Sequence, residues 1–185
     1  DASATGPDAT VVGTDSTADG PSTTVFGGES TATGPGATAI GWQAMATAER
    51  ATAIGHLATA QGVRSTAVGE NADARTDFST AIGNESIAAG TDALAVGDTS
   101  RASGNSTTSL GGESFSQGPG ATALGWRSRA LGERATAVGH LASATGERAL
   151  AVGENATARS DFATAIGNES VADGIDALAL GDNAH

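Results

Sequence analysis

The chain has 185 residues and a formal net charge of −12, and it combines 38% hydrophobic residues with only 3% aromatic residues and no cysteine. So few large side chains cannot fill a thick core, and the lack of cysteine excludes disulfides, thiol catalysis and thiolate metal sites. The acidic charge argues against nucleic acid as a partner, because binding to its phosphate backbone requires Lys and Arg. No apolar run is long enough to span a bilayer and no secretory segment occurs, so we expect no direct membrane insertion.

A repeat of 14 residues begins near the start of the chain and continues to its end. One series of glycines, the main glycines, starts at Gly13 and recurs every 14 residues to Gly181 without insertion or deletion. The second-series glycines lie seven residues away from these, start at Gly6, and are missing at only three positions. Two turns in each repeat leave two short strands. The pattern therefore predicts an all-β fold, a parallel β-solenoid of about thirteen 14-residue coils.

A longer repeat is superimposed on the short one. Residues 14–97 resemble residues 98–181 at an offset of 84 residues, which is six coils. We interpret this similarity as an internal duplication within a single domain that covers residues 1–185. Because the chain starts at Asp1 rather than at a methionine, we expect this domain to be a fragment of a longer protein.

The strand before each main glycine is apolar on both of its faces. Ala occupies most positions two and four residues before the glycine, as at Ala51 and Ala53, and Thr or Leu stands three residues before it, as at Thr52. Successive side chains of a strand point to opposite faces, so the Ala residues share one face and the large apolar residues share the other. The large residues form the apolar stripe, which consists of Val12, Phe26, Ile40, Ile54, Val68, Ile82, Val96, Leu110, Leu124, Val138, Val152, Ile166 and Leu180.

The strand after each main glycine has only one apolar face. Ala or Ser stands three and five residues after the glycine, as at Ala58 and Ala60, and the sites beside them are mostly polar or mixed, such as Thr59 and Arg129. The small residues of both strands predict a thin core between two close-packed sheets. The apolar stripe still requires cover, and every residue of the chain belongs to the same repeat. We therefore expect an obligate homo-oligomer in which parallel coils cover each other's stripes.

Four segments carry a family resemblance: ATAIGWQAMATA at residue 37, STAVGENADA at 65, ATALGWRSRALG at 121 and ATAVGHLASATG at 135. They resemble the YadA-like head domain of trimeric autotransporter adhesins of Gram-negative bacteria, whose repeat has the form S-V-A-I-G-x-x-S-x-A-x-G. The resemblance covers essentially the whole chain. The chain differs from the family pattern in usually having Thr where the family often has Val, and Ala where it has Ser. These differences make the stripe less apolar but leave its spacing unchanged.

The resemblance implies a left-handed parallel β-roll assembled as a parallel homotrimer, with the apolar stripe at the trimer interface. It also implies a non-enzymatic adhesin head that attaches bacteria to host cells or extracellular matrix and is linked to virulence. Such a head is an extracellular passenger region on the bacterial cell surface, which a stalk holds above its outer-membrane anchor. Two alternatives are a structural spacer rod that lifts another adhesive domain and an ice-binding solenoid with an outward array of Thr.

The residues directly after the main glycines include the candidate partner contacts. Trp42 and Trp126 are equivalent at the 84-residue offset, and Trp is favoured at binding hot spots. The alternative interpretation is that each Trp packs over a coil edge or between subunits. His56 and His140 are also equivalent, and ion binding by them is left open. No catalytic motif occurs, and a coil filled with Ala offers no concave pocket, so we expect no catalytic, metal or cofactor site.

Overall fold

The computed structural model describes residues 1–185, and short β-strands joined by turns make up the whole chain. No helix is present, and hence none is long and apolar enough to cross a membrane. The chain divides into two compact units, Asp1–Asp92 and Ala93–His185. Both units repeat the same coil, in which a strand of two residues alternates with a strand of three.

The strands are numbered in chain order, so that odd-numbered strands have two residues and even-numbered strands have three. The first unit contains β1 (Ser3–Ala4), β2 (Thr10–Val12), β3 (Thr17–Ala18), β4 (Thr24–Phe26), β5 (Thr31–Ala32), β6 (Thr38–Ile40), β7 (Met45–Ala46), β8 (Thr52–Ile54), β9 (Thr59–Ala60), β10 (Thr66–Val68), β11 (Asp73–Ala74), β12 (Thr80–Ile82) and β13 (Ile87–Ala88). The second unit contains β14 (Leu94–Val96), β15 (Arg101–Ala102), β16 (Thr108–Leu110), β17 (Phe115–Ser116), β18 (Thr122–Leu124), β19 (Arg129–Ala130), β20 (Thr136–Val138), β21 (Ser143–Ala144), β22 (Leu150–Val152), β23 (Thr157–Ala158), β24 (Thr164–Ile166), β25 (Val171–Ala172) and β26 (Leu178–Leu180).

Each unit has one sheet of odd-numbered and one sheet of even-numbered strands. Neighbours in a sheet are one coil apart, in the orders β1-β3-β5-β7-β9-β11-β13 and β2-β4-β6-β8-β10-β12 in the first unit and β15-β17-β19-β21-β23-β25 and β14-β16-β18-β20-β22-β24-β26 in the second. The pairs are parallel and join equivalent residues, as Ile54 with Ile40 and Val68. The prediction of an all-β parallel β-solenoid of about thirteen coils is confirmed. Its left hand and its assembly from three chains stay predictions.

The core of each unit is as thin as the sequence predicts. Ala51 and Ala53 from an even-numbered strand and Ala58 and Ala60 from the following odd-numbered strand all have an exposure of 0%. The largest side chain that is fully buried anywhere in the chain is Val25. Small residues are required because two sheets formed by one 14-residue coil lie too close together for larger side chains.

Buried hydroxyl groups in this core bond to the turns. The Ser65 hydroxyl donates to the backbone carbonyl oxygen of Gly62 at 2.7 Å, and the Ser128 hydroxyl donates to that of Gly125 at 2.9 Å. A Ser can therefore replace Ala on the core face without leaving its hydroxyl unpaired, since a turn carbonyl lies three residues earlier. This local bond explains why the core positions after the main glycines alternate between Ala and Ser.

Glycine is required at the corners for two different reasons. Gly55 has a φ of +135°, and a Cβ atom on it would lie 2.3 Å from the backbone oxygen of Gly69 in the next coil. Gly62, in the second series, has no such φ, but a Cβ atom there would lie 1.9 Å from the backbone oxygen of Thr76. The expectation that corner glycines supply positive φ or close approach is confirmed.

The second residue after each corner position adopts the left-handed conformation, and this feature was not anticipated from the sequence. In 24 of the turns this residue is not glycine, and its φ lies between 51° and 60°. Bulky residues are among them, such as Leu57 at 58° and Phe78 at 59°. Each such residue costs about 1 kcal/mol relative to a right-handed conformation. The cost is offset by backbone bonds between coils, such as the one from the Leu57 amide to the Trp42 carbonyl oxygen at 3.0 Å.

Candidate binding surfaces

The apolar stripe lies on the outer face of the even-numbered strands. Each of its residues is the last residue of such a strand, and the parallel register places equivalent residues side by side within each unit, as at Leu110 and Leu124. In the single chain Ile54 is 37% exposed and Leu124 is 38% exposed. The four stripe valines of β10, β14, β20 and β22 are half-buried. The structure thus leaves one row of aliphatic side chains in each unit without cover from the chain itself.

No charged residue occurs in any even-numbered strand of either unit. The outer positions hold only Thr or Leu together with the stripe residues. The odd-numbered strands differ, because Asp73, Arg101 and Arg129 stand on their outer faces. Depletion of charge together with aliphatic side chains is typical of the core of a protein interface. The two sheets of a coil therefore offer chemically different outer surfaces.

The residues directly after the main glycines form a corner column in each unit. In the first unit the rings of Trp42 and His56 have centroids 4.9 Å apart, and His56 Nδ1 lies 3.4 Å from Glu70 Oε1. The second unit repeats this arrangement at Trp126, His140 and Glu154, with distances of 4.9 Å and 3.2 Å. Members of the column are 14 residues apart in sequence, so consecutive coils stack their corner side chains.

A glycine one coil earlier makes room for each Trp. A Cβ atom on Gly28 would lie 3.3 Å from Cδ1 of Trp42, and one on Gly112 would lie 3.3 Å from Cδ1 of Trp126. The indoles nevertheless remain 47% and 42% exposed. The two copies differ on one side, because the Arg127 guanidinium lies 4.1 Å from the ring centroid of Trp126, whereas Gln43, which follows Trp42, donates to Glu29 instead.

The corner columns bring His and Glu together only in pairs. No group of three or more His, Asp, Glu or Cys side chains that could hold a metal ion occurs in the chain. Within one chain, His56 and His140 therefore act as partners of a Trp ring and a carboxylate rather than as members of a ligand set.

We expect His56→Ala to change the fluorescence emission of Trp42 while lowering the free energy of unfolding by less than about 1 kcal/mol. The effect on stability is small because the side chains of both partners are roughly half exposed. Emission and denaturant unfolding are measured in a Trp126→Phe background, so that Trp42 is the only tryptophan. His140→Ala in the same background is the control and leaves the emission unchanged. Unchanged emission in His56→Ala would refute the stacked geometry.

The sequence comparison with protein families extends over nearly the whole repeat array. The profile of the YadA head domain repeat (2 copies) matches residues 4–30, 32–58, 60–86, 88–114, 116–142 and 144–170. The chain belongs to the YadA head domain family. YadA head repeats are non-enzymatic adhesin domains of bacterial cell-surface autotransporter passengers. No curated protein sequence matches the chain.

The YadA head match accounts for the spacing of the glycines and for the stripe, but not for the side chains at the corners. Sequence reasoning identified Trp42 and Trp126 as a pair and placed His56 and His140 at the same corner. It did not connect these residues to each other, since contacts between coils follow the 14-residue period and the residues were considered by type. A reading of each coil position as a column would have found them.

Proposed function

We propose that this YadA head is an obligate parallel homotrimer that attaches bacteria to host cells or to extracellular matrix. The observation that carries the proposal is the uncharged outer face of the even-numbered strands, which presents the apolar stripe to solvent in the single chain. Uncovered apolar rows of this kind mark interaction surfaces. In the proposed trimer, the interface residues are those of the stripe, and equivalent coils of three chains face a shared axis.

The proposed adhesive surface is the remainder of the coil. The odd-numbered strands and the two corners carry nearly all charged and aromatic side chains, and they point away from the proposed interface. Trp42 and Trp126 are proposed contacts for the partner because they are exposed and lie at equivalent corners. The head would form a single domain, residues 1–185, with the duplication 14–97 and 98–181, in the extracellular part of an outer-membrane-anchored, virulence-associated protein.

Two measurements test this proposal. Sedimentation equilibrium of the purified chain is expected to give the mass of three chains, and a stable folded monomer would refute the interface. Binding of the chain to immobilised collagen, fibronectin and laminin and to host cells is expected to exceed that of a control in which the outer residues of the odd-numbered strands are exchanged among coils. Binding no greater than the control for every surface would favour the spacer rod. The ice-binding alternative has less support, since its Thr column shares the face with the apolar stripe.

A further inference from the structure

A shallow pocket lies on the outer face of the odd-numbered strands in the second unit. It has a volume of about 360 Å³, and its lining consists of Glu113, Phe115, Arg127, Arg129 and Leu141. A volume of this order is at the lower end for pockets that hold small ligands or single side chains. The floor is apolar and the rim is charged, which is the usual arrangement of a recognition site. We call this feature the basic pocket.

Two arginines flank the aromatic ring of the basic pocket. The parallel register places Arg101 of β15 on one side of Phe115 of β17 and Arg129 of β19 on the other. Neighbouring strands are ~4.8 Å apart, so the two arginine backbones are roughly 9.6 Å apart. Both side chains are exposed, and Phe115 between them is half-buried. The face therefore presents two cations with an apolar ring between them.

The charges of this face are available to a ligand. Arg127 is held by Glu113 through a 2.6 Å bond from Nε to Oε2, which removes the one carboxylate of the pocket from competition. Arg101 and Arg129 form no salt bridge, although the chain has 21 acidic residues and only 9 basic ones. Six of the other seven arginines lie within 4 Å of a carboxylate. Two unpaired cations together on an acidic molecule are unusual and define a local site for anions.

The first unit lacks this pocket chemistry. The residues that stand 84 positions earlier than Arg101, Phe115 and Arg129 are Thr17, Thr31 and Met45, and they occupy the same outer positions of β3, β5 and β7. The duplicated coil therefore folds without the arginines, so coil geometry alone does not require them.

We propose that the basic pocket binds an acidic peptide segment of a host protein, with two carboxylates three residues apart and an apolar side chain between them. An extended chain rises by ~3.3 Å per residue, so residues three apart span nearly the distance between Arg101 and Arg129. The apolar side chain packs against Phe115 and Leu141. A peptide fits better than an acidic glycan, because the floor of the pocket offers no free acceptor for sugar hydroxyls. The inference names a partner class for the proposed adhesive function and rests on it.

The test uses the full chain and fluorescein-labelled GSELSEGS as the probe. We expect saturable binding that weakens with salt and is lost when both glutamates of the probe are glutamine. In Arg101→Thr with Arg129→Met, which introduces the residues of the first unit, affinity falls about tenfold or more. The control, Arg50→Gln with Arg134→Gln, removes the same charge from two exposed corner residues and keeps the affinity within about twofold. Thermal unfolding checks that all variants fold.

A second variant tests the site by gain of binding. Thr17→Arg, Thr31→Phe and Met45→Arg together copy the flanked ring into the first unit, and we expect the number of probe molecules bound per chain to double. Equal loss in the two charge-removal variants would show general electrostatic attraction and overturn the proposal. Binding of a heparin oligosaccharide to Arg101 and Arg129 without binding of the peptide would assign the site to a glycan and also overturn it.

The assay separates this inference from the adhesive function on which it rests. If the chain binds matrix or cells and the Arg101→Thr, Arg129→Met variant binds them equally well, the basic pocket is refuted and the adhesin proposal stands. If the chain binds no host surface and yet captures the acidic probe through these arginines, the pocket stands and the adhesin proposal is refuted.

Discussion

Gly55→Ala is expected to lower the free energy of unfolding by about 3 kcal/mol or more, and to leave much of the chain unfolded at physiological temperature. Gly55 has a φ of +135°, and a Cβ atom would lie 2.3 Å from the backbone oxygen of Gly69. The atom in the way belongs to the backbone, and that backbone is held by the Gly69 amide bond to the Ile54 carbonyl oxygen at 2.8 Å. Relief of the clash would therefore require two coils to separate. Circular dichroism during denaturant unfolding measures the loss.

Gly36→Ala is the matched control and should change the free energy of unfolding by less than about 1 kcal/mol. Gly36 has a φ of +68°, and the nearest atom to an added Cβ is Arg50 Cγ at 3.5 Å. In other coils the same position holds residues such as Leu57 and Arg64 at nearly the same φ. If the two substitutions were equally destabilising, the corner clash between coils would not be the reason for the 14-residue glycine period.

The contrast between these glycines shows what the sequence reveals about the fold. The main glycines recur without exception, because both their φ and their closeness to the next coil exclude a side chain, and that regularity identifies the solenoid. The position of Gly36 is almost never glycine, since a left-handed residue with a side chain is tolerated when backbone bonds hold it. The left-handed turns therefore leave no compositional signal, and only the coordinates reveal them.

The candidate sites follow the same division. The apolar stripe is visible in the sequence because one rule, a large apolar residue before every main glycine, applies to all coils. The basic pocket breaks the repeat: Phe115 and Arg129 replace Thr31 and Met45 of the earlier block. A search for regularity treats such changes as variation at a polar position. The strand register converts them into a site by placing the changed residues side by side, and sequence distance alone does not show this.

Ile54→Asp is expected to abolish the trimer, and the variant should sediment as a monomer or fail to remain soluble. In the proposed assembly the Ile54 side chains of three chains face one another, so the substitution would place three carboxylates in an apolar, desolvated position without partners. Burial of an unpaired charge costs several kcal/mol per group. The neighbouring stripe residues Ile40 and Val68 hold no group that could compensate the charge. Sedimentation velocity of the variant and of the unmodified chain measures the change.

Thr59→Asp is the control with the same change in charge, and it should leave the trimer intact. Thr59 is on the outer face of β9, and the residue at the same position in the next coil is Asp73, so the site tolerates an aspartate. Ile54→Val provides a second control, because Val68 occupies the next stripe position, and it should weaken the trimer only slightly. If Thr59→Asp dissociated the trimer as Ile54→Asp does, or if neither did, the even-numbered strands would not form the interface. Loss of the trimer in Ile54→Asp alone would assign the interface to the stripe and leave the odd-numbered strands, with the basic pocket, free for the host partner.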